Sequence, residues 1–161
     1  MADTDRLIRR QILAALRGGQ AYDTLEEILK EVPEPKRFAR PSEGGHSAWE
    51  IVEHMRLSLA DLAAYTKDAD GSYVEKKWPD EYWPKSQPAP SEDRWQESVK
   101  SCLEARREVE RLAMDESRGL CDPLHLNDSH TLLRELLLAI DHSAYHLGEI
   151  VELTFILQGQ G

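Results

Sequence analysis

Apolar residues recur at helical spacing in four long segments of the chain, and no strand-like alternation is sustained anywhere. Gly and Pro residues separate the segments, and a shorter helix is predicted from Thr24 to the residues before Pro33. Four amphipathic helices can enclose one core, so the pattern predicts an all-α four-helix bundle forming a single domain over residues 1–161. The long helices run from about Asp3 to Gly18, from Ser47 to about Lys67, from Ser91 past Leu112, and from about Thr131 to Leu157.

The apolar positions also predict which side of each helix faces the core. In the second long helix, Ser47 and Glu50 have the spacing of a capping box, in which each side chain bonds to the other residue's backbone amide. The predicted core faces are Leu7, Ile8, Ile12, Ala15 and Leu16 in the first long helix; Ile51, Met55, Leu59 and Leu62 in the second; Trp95, Val99, Cys102, Val109 and Leu112 in the third; and Leu133, Leu137, Ile140, Ala144, Leu147 and Val151 in the fourth.

Residues 68–90 are predicted to form a long loop between the second and third long helices. Gly71 and four prolines prevent a continuous helix there. The loop nevertheless contains four aromatic residues, which a solvated linker would not carry. We therefore expect it to pack over one end of the bundle, and long loops of this kind are often functional. The aromatic residues are Tyr73, Trp78, Tyr82 and Trp83.

Composition narrows the classes of function. Thirty acidic residues against 20 basic ones give a net charge of −10, which disfavours a nucleic-acid partner. No apolar run reaches the roughly 20 residues needed to cross a bilayer, and the N-terminal residues lack a secretory signal. We expect a cytoplasmic protein with no membrane contact. Cys102 and Cys121 have no metal-binding spacing and are read as free thiols, with Cys102 in a helix core.

The candidate chemistry lies in three histidines. His142 and His146 are four residues apart on a predicted helix, so both imidazoles project from one face and can reach one metal ion. Ser143 stands where a zinc-protease motif has its glutamate, which excludes that signature. His54 lies beside the apolar stripe of another helix, where a buried imidazole needs a partner. Two histidines satisfied by hydrogen bonds or water are the alternative interpretation.

Three histidines without a fourth ligand predict a metal site with open positions, unlike the closed structural zinc sites. Imidazole suits zinc, nickel, copper or iron, so the residues alone do not select the metal. Glu149 and Glu50 each lie about one turn from a candidate ligand. Either carboxylate could orient an imidazole, bind the metal or move a proton. For Glu149 polar packing is the alternative, and for Glu50 the helix cap already provides an explanation.

Two helical segments resemble motifs of the DinB/YfiT-like superfamily. They are GHSAWEIVEHMR, residues 45–56, and TLLRELLLAIDHSAYHLGEIV, residues 131–151. Between them, KWPDEYWP and Trp95 are similar to the aromatic, proline-rich connection of one branch of this superfamily. The resemblance extends from about Ile8 to Leu157.

This resemblance implies a four-helix bundle that binds one divalent metal ion, usually nickel or zinc, through His54, His142 and His146. It also implies a homodimer. Some relatives are thiol-dependent S-transferases or isomerases that use bacillithiol or mycothiol, so a low-molecular-weight thiol is a candidate cofactor. Two departures affect this expectation: Glu149 stands where the family often has glutamine, and the C-terminal arginines of the family are absent.

The leading functional hypothesis is a metal-dependent enzyme of the thiol S-transferase or hydrolase type, acting on a small molecule. Glu149 is the candidate catalytic residue. The alternative is a non-catalytic metal- or ligand-binding stress-response protein. A metal-free dimeric scaffold is a third hypothesis, which requires the histidines to be incidental.

Overall fold

A computed structural model describes residues 2–41 and 44–159 of the chain. Most of these residues are helical, which confirms the all-α prediction. Within the described ranges, no helix is both long enough and apolar enough to span a bilayer. The helices are α1 (Ala2–Arg17), α2 (Leu25–Glu31), α3 (Ala48–Lys67), α4 (Glu92–Met114) and α5 (Leu132–Gln158), with a 3-10 turn at Glu34–Lys36 and strands β1 (Pro123–Leu124) and β2 (Asn127–Thr131).

Hydroxyl side chains determine where α2 to α5 begin. Thr24, Ser47, Ser91 and Thr131 each accept a hydrogen bond from the backbone amide three residues later. Each bond satisfies one of the free amides of a helix N-terminus, typically stabilising it by about 1 kcal/mol. The predicted capping box of Ser47 and Glu50 is confirmed.

The helix α3 lies at the centre of the packing, against both α4 and α5, while α1 packs on α4 and α5. Two buried clusters hold these helices together. Burying one large apolar side chain contributes roughly 1.5–3 kcal/mol, so the clusters fix α3 and α5 relative to each other. The first includes Trp49, Ile51, Met55, Trp95, Cys102, Leu147 and Ile150; the second includes Ile12, Leu59, Val109, Leu132 and Leu136.

The predicted core face of α5 is confirmed at Leu147, which is buried, and Leu133 and Ile140 pack against the core, but it is wrong at two positions. Leu137 is 53% exposed and Val151 is also exposed, whereas Leu136 and Ile150 are buried. The segment LLRELLLAI is apolar on several sides of the helix, so periodicity alone does not define the buried side. Glu135 is buried as well, paired with Arg134, and this polar residue obscured the buried face.

The face predicted for α1 needs a similar correction. Leu7 and Ile8 are exposed, while Arg9 is almost fully buried and donates a hydrogen bond to the carbonyl oxygen of Ala113. No pattern in the sequence predicts the antiparallel hairpin of β1 and β2. It consists of only seven residues in two short strands, too few to show an alternating pattern.

Residues 68–91 join α3 to α4 without helix or strand. Tyr73, Tyr82 and Trp83 of this loop are partly buried, while Trp78 is exposed. Tyr82 and Trp83 reach the N-terminal half of α3 and form one wall of the histidine cluster described next.

Candidate metal centre

The structure brings His54, His142 and His146 together. His54 is on α3, and the other two are one turn apart on α5. The Nε2 atom of His142 lies 3.0 Å from Nε2 of His54 and 3.2 Å from Nε2 of His146. One nitrogen from each ring lies within 4.8 Å of those of the others. Three imidazole nitrogens from two helices therefore converge on one point.

Two of the three rings also form a hydrogen bond through Nδ1, the ring nitrogen that faces away from the cluster. Nδ1 of His54 donates to the carbonyl oxygen of Tyr82 at 2.7 Å, since a carbonyl only accepts. Nδ1 of His146 donates in the same way to Oε2 of Glu149, also at 2.7 Å. Each bond places the ring proton on Nδ1 and leaves Nε2 with a free lone pair toward the cluster. Glu149 thus orients an imidazole, which is one of the roles that the sequence predicts for it.

The cluster disfavours positive charge. Burial, together with the neighbouring imidazoles, lowers the pKa of His142 and of His146 to about 4. Burial also lowers the pKa of His54, although the hydrogen bond to Tyr82 partly opposes it. All three rings are therefore neutral near pH 7, which is the form that binds metal ions.

The donor set fits a divalent metal ion. Imidazole nitrogens lie about 2.0–2.1 Å from zinc, so two of them at a tetrahedral angle are roughly 3.3 Å apart. The separations of 3.0 and 3.2 Å between Nε2 atoms are close to this value. Hydrogen-bond partners behind ligating histidines are also typical of metal sites. Three nitrogens leave further coordination positions for small molecules.

Aromatic rings surround the cluster. Trp83 is stacked between two imidazoles, with its ring centroid 4.0 Å from that of His54 and 3.8 Å from that of His46. The Nδ1 atom of His46 is buried and has no hydrogen-bond partner among the described residues. Trp78 and Tyr145 are each 69% exposed. Their ring centroids lie 6.3 Å from that of His54 and 4.9 Å from that of His146, respectively, so aromatic surface borders the cluster.

Other candidate residues lie elsewhere. Glu50 is buried in its helix cap and paired with Arg40, as the alternative interpretation required. His130 accepts or donates a bond with the hydroxyl of Tyr65, and His125 is exposed in the hairpin connection. None of these residues belongs to the group of three histidines.

Sequence reasoning did not identify Tyr82 and Trp83 as partners of His54. The sequence identifies both residues only as members of an aromatic loop. The relevant group of Tyr82 is its backbone carbonyl, which no residue pattern reveals. The relevant signal in the sequence is the excess of aromatic residues in a proline-rich loop. This excess predicts that the loop packs on the bundle, but it does not predict the contact with His54.

The chain matches the model of one protein family. The family model of the DinB superfamily matches residues 19–150, which is more than half of the chain and includes all three histidines. Comparison with curated proteins and with solved structures finds no significant match.

Proposed function

The chain belongs to the DinB superfamily, and from this membership and the histidine geometry we propose that it is a divalent-metal-binding protein with a metal-dependent activity. The observation that carries the proposal is the convergence of three Nε2 atoms, two of them with their proton fixed on the opposite nitrogen. His54, His142 and His146 are the proposed ligands, and nickel or zinc is the proposed ion.

A divalent ion at this point would supply Lewis-acid chemistry, lowering the pKa of a water or thiol bound to it. The residues of the chain would orient the imidazoles and exclude water from part of the site. Tyr82 and Glu149 orient two of the rings, and Trp83 covers one side of His54 and excludes water there. Glu149 is partly exposed, so it can also exchange a proton with solvent while holding His146.

The proposed reaction is a thiol S-transfer or a hydrolysis on a small molecule. In the first case a low-molecular-weight thiol is the cosubstrate, and in the second case water is the nucleophile. The exposed ring of Trp78 beside the cluster provides apolar surface for a substrate. The alternative of a non-catalytic stress-response protein has the same metal site but predicts no turnover.

The first experiment is elemental analysis of protein purified without a histidine tag. We expect about one nickel or zinc ion per chain in the parent and almost none in the His142→Ala/His146→Ala variant. His125→Ala is the matched control, because it removes a histidine outside the cluster and should retain the metal. A parent that stays metal-free after incubation with both ions would refute the proposal.

The second experiment separates the enzyme from the non-catalytic alternative. Metal-loaded protein is tested against thiol-conjugation reactions and against ester and amide substrates. Turnover that disappears in the His142→Ala/His146→Ala variant would support the enzyme. Full metal loading without turnover in either set would favour the non-catalytic stress-response protein.

We also propose that α1, α3, α4 and α5 form the family's four-helix bundle in one domain.

We further propose that two copies of the chain associate through α5. The outward side of α5 is unusually apolar, and a Cβ added to Gly148 there would meet nothing within 4 Å. An exposed glycine inside a helix costs about 1 kcal/mol, which close approach of a second copy would explain. Analytical ultracentrifugation should show that the parent is a dimer and that the Phe155→Lys variant is a monomer. A monomeric parent would refute the proposed association through α5. The exposed apolar residues are Leu137, Leu138, Tyr145, Val151 and Phe155.

A further inference from the structure

A buried carboxylate outside the histidine cluster holds the aromatic loop against α3. Asp61 lies seven residues after His54 on α3, about two helical turns, and is only 6% exposed. Its Oδ2 accepts hydrogen bonds from the hydroxyl groups of Tyr73, at 3.0 Å, and Tyr82, at 2.6 Å, while Lys76 pairs with its Oδ1. All three donors belong to the loop of residues 68–91. Because a buried charge needs such partners, Asp61 is an anchor point for this loop.

Tyr82 connects this anchor to the histidine cluster. Its hydroxyl group donates to Asp61, and its carbonyl oxygen accepts from Nδ1 of His54 at 2.7 Å. The next residue, Trp83, stacks on the His54 ring with an angle of 5° between the planes. Tyr82 therefore contacts α3 at two positions that are about two turns apart. The two contacts that orient His54, from the Tyr82 carbonyl and the Trp83 ring, both depend on where Asp61 holds the loop.

We propose that Asp61 is a positioning residue for the metal site, acting through Tyr82 on the tautomer and ring orientation of His54. This inference rests on the proposed metal-binding function. If the loop moves away from Asp61, the carbonyl of Tyr82 no longer holds the proton of His54 on Nδ1. A proton on Nε2 would block the lone pair that faces the other two rings. Loss of such an outer contact typically weakens metal binding by about 10–100-fold.

The test compares Asp61→Asn and Tyr82→Phe with Tyr73→Phe in the full chain. Tyr73→Phe is the matched control, because it removes one hydroxyl donor from the same carboxylate without a link to His54. Nickel affinity is measured by competition with a chelator. We expect about tenfold or greater weakening in the first two variants and less than about threefold in the control.

A second readout is independent of metal. Nitrogen-15 NMR of the metal-free protein reports which nitrogen of His54 carries the proton. The parent and Tyr73→Phe should show the Nδ1-protonated ring, and Tyr82→Phe should show a mixture of tautomers. A merely structural role of Asp61 would lower the melting temperature without changing this signal.

The outcomes distinguish the two proposals. A parent that binds no nickel or zinc refutes the metal site, whereas the tautomer of His54 still tests the role of Asp61. Unchanged nickel affinity and an unchanged tautomer in Tyr82→Phe would overturn the positioning role, even if Asp61→Asn did not fold. Equal effects of Tyr82→Phe and Tyr73→Phe would also overturn it, because the effect would then not pass through Tyr82.

Discussion

Acidification should destabilise the metal-free protein because the fold holds His142 and His146 as neutral imidazoles. The pKa of each is about 4 in the folded chain, against about 6.5 in an unfolded one. The unfolded chain therefore binds more protons in this window, so the stabilising effect is complete above pH 6.5 and is lost as the pH falls toward 4. At pH 5 one such shift corresponds to about 2 kcal/mol. Because His142 is partly exposed and the two rings share one site, we expect about 2 kcal/mol for both together.

Urea unfolding followed by circular dichroism at pH 7 and pH 5 measures this effect. With a slope of about 2 kcal/mol per molar urea, the midpoint should fall by about 1 M between the two pH values. The His142→Asn/His146→Asn variant should lose most of this dependence, whatever its absolute stability, while His125→Asn should keep it. If the double variant shows the same pH dependence as the parent, the titrating groups lie elsewhere and the reasoning is refuted.

Three further predictions concern other residues. Burial raises the pKa of the Cys102 thiol to about 12, so a thiol reagent should modify only the exposed Cys121 rapidly in the native protein and both cysteines in urea. Glu149→Gln keeps the shape but removes the charge behind His146, so competition with a chelator should show about tenfold weaker nickel binding. Thr131→Ala removes the cap of α5 and should lower the unfolding free energy by about 1 kcal/mol in urea titration.

The fold could be predicted wherever the signal was local. Helix starts depend on a hydroxyl residue and the amides of the next turn, so Ser47 and Thr131 marked them from the sequence. The buried side of α5 could not be predicted in this way. Leucines at consecutive positions allow several faces, and the choice depends on what α3 and α4 present to the helix. The exposed Leu137 beside the buried Leu136 shows that tertiary packing made this choice.

The histidine cluster shows the same division between local and long-range information. A spacing of four residues on one helix places His142 and His146 together, and the sequence contains that spacing. The contribution of Asp61 was invisible, because a single acid between Ala60 and Leu62 is typical of a solvated helix face. Its partners come from a loop without periodicity, and the contact exists only once the loop has folded back on α3.

The cluster is asymmetric in a way that favours metal binding. His54 and His146 each form a hydrogen bond through Nδ1, whereas the hydrogen bonds of His142 to other described residues use Nε2. In the metal-free protein a single proton on Nε2 of His142 can be shared with both neighbours, which accounts for separations of 3.0 and 3.2 Å between neutral rings. To admit a cation, only this one proton would have to move, from Nε2 to Nδ1 of the same ring. Two of the three proposed ligands are thus already in the tautomer that a metal ion would require, and His142 would change its tautomer without breaking a hydrogen bond to a described residue outside the cluster, so little reorganisation would oppose binding.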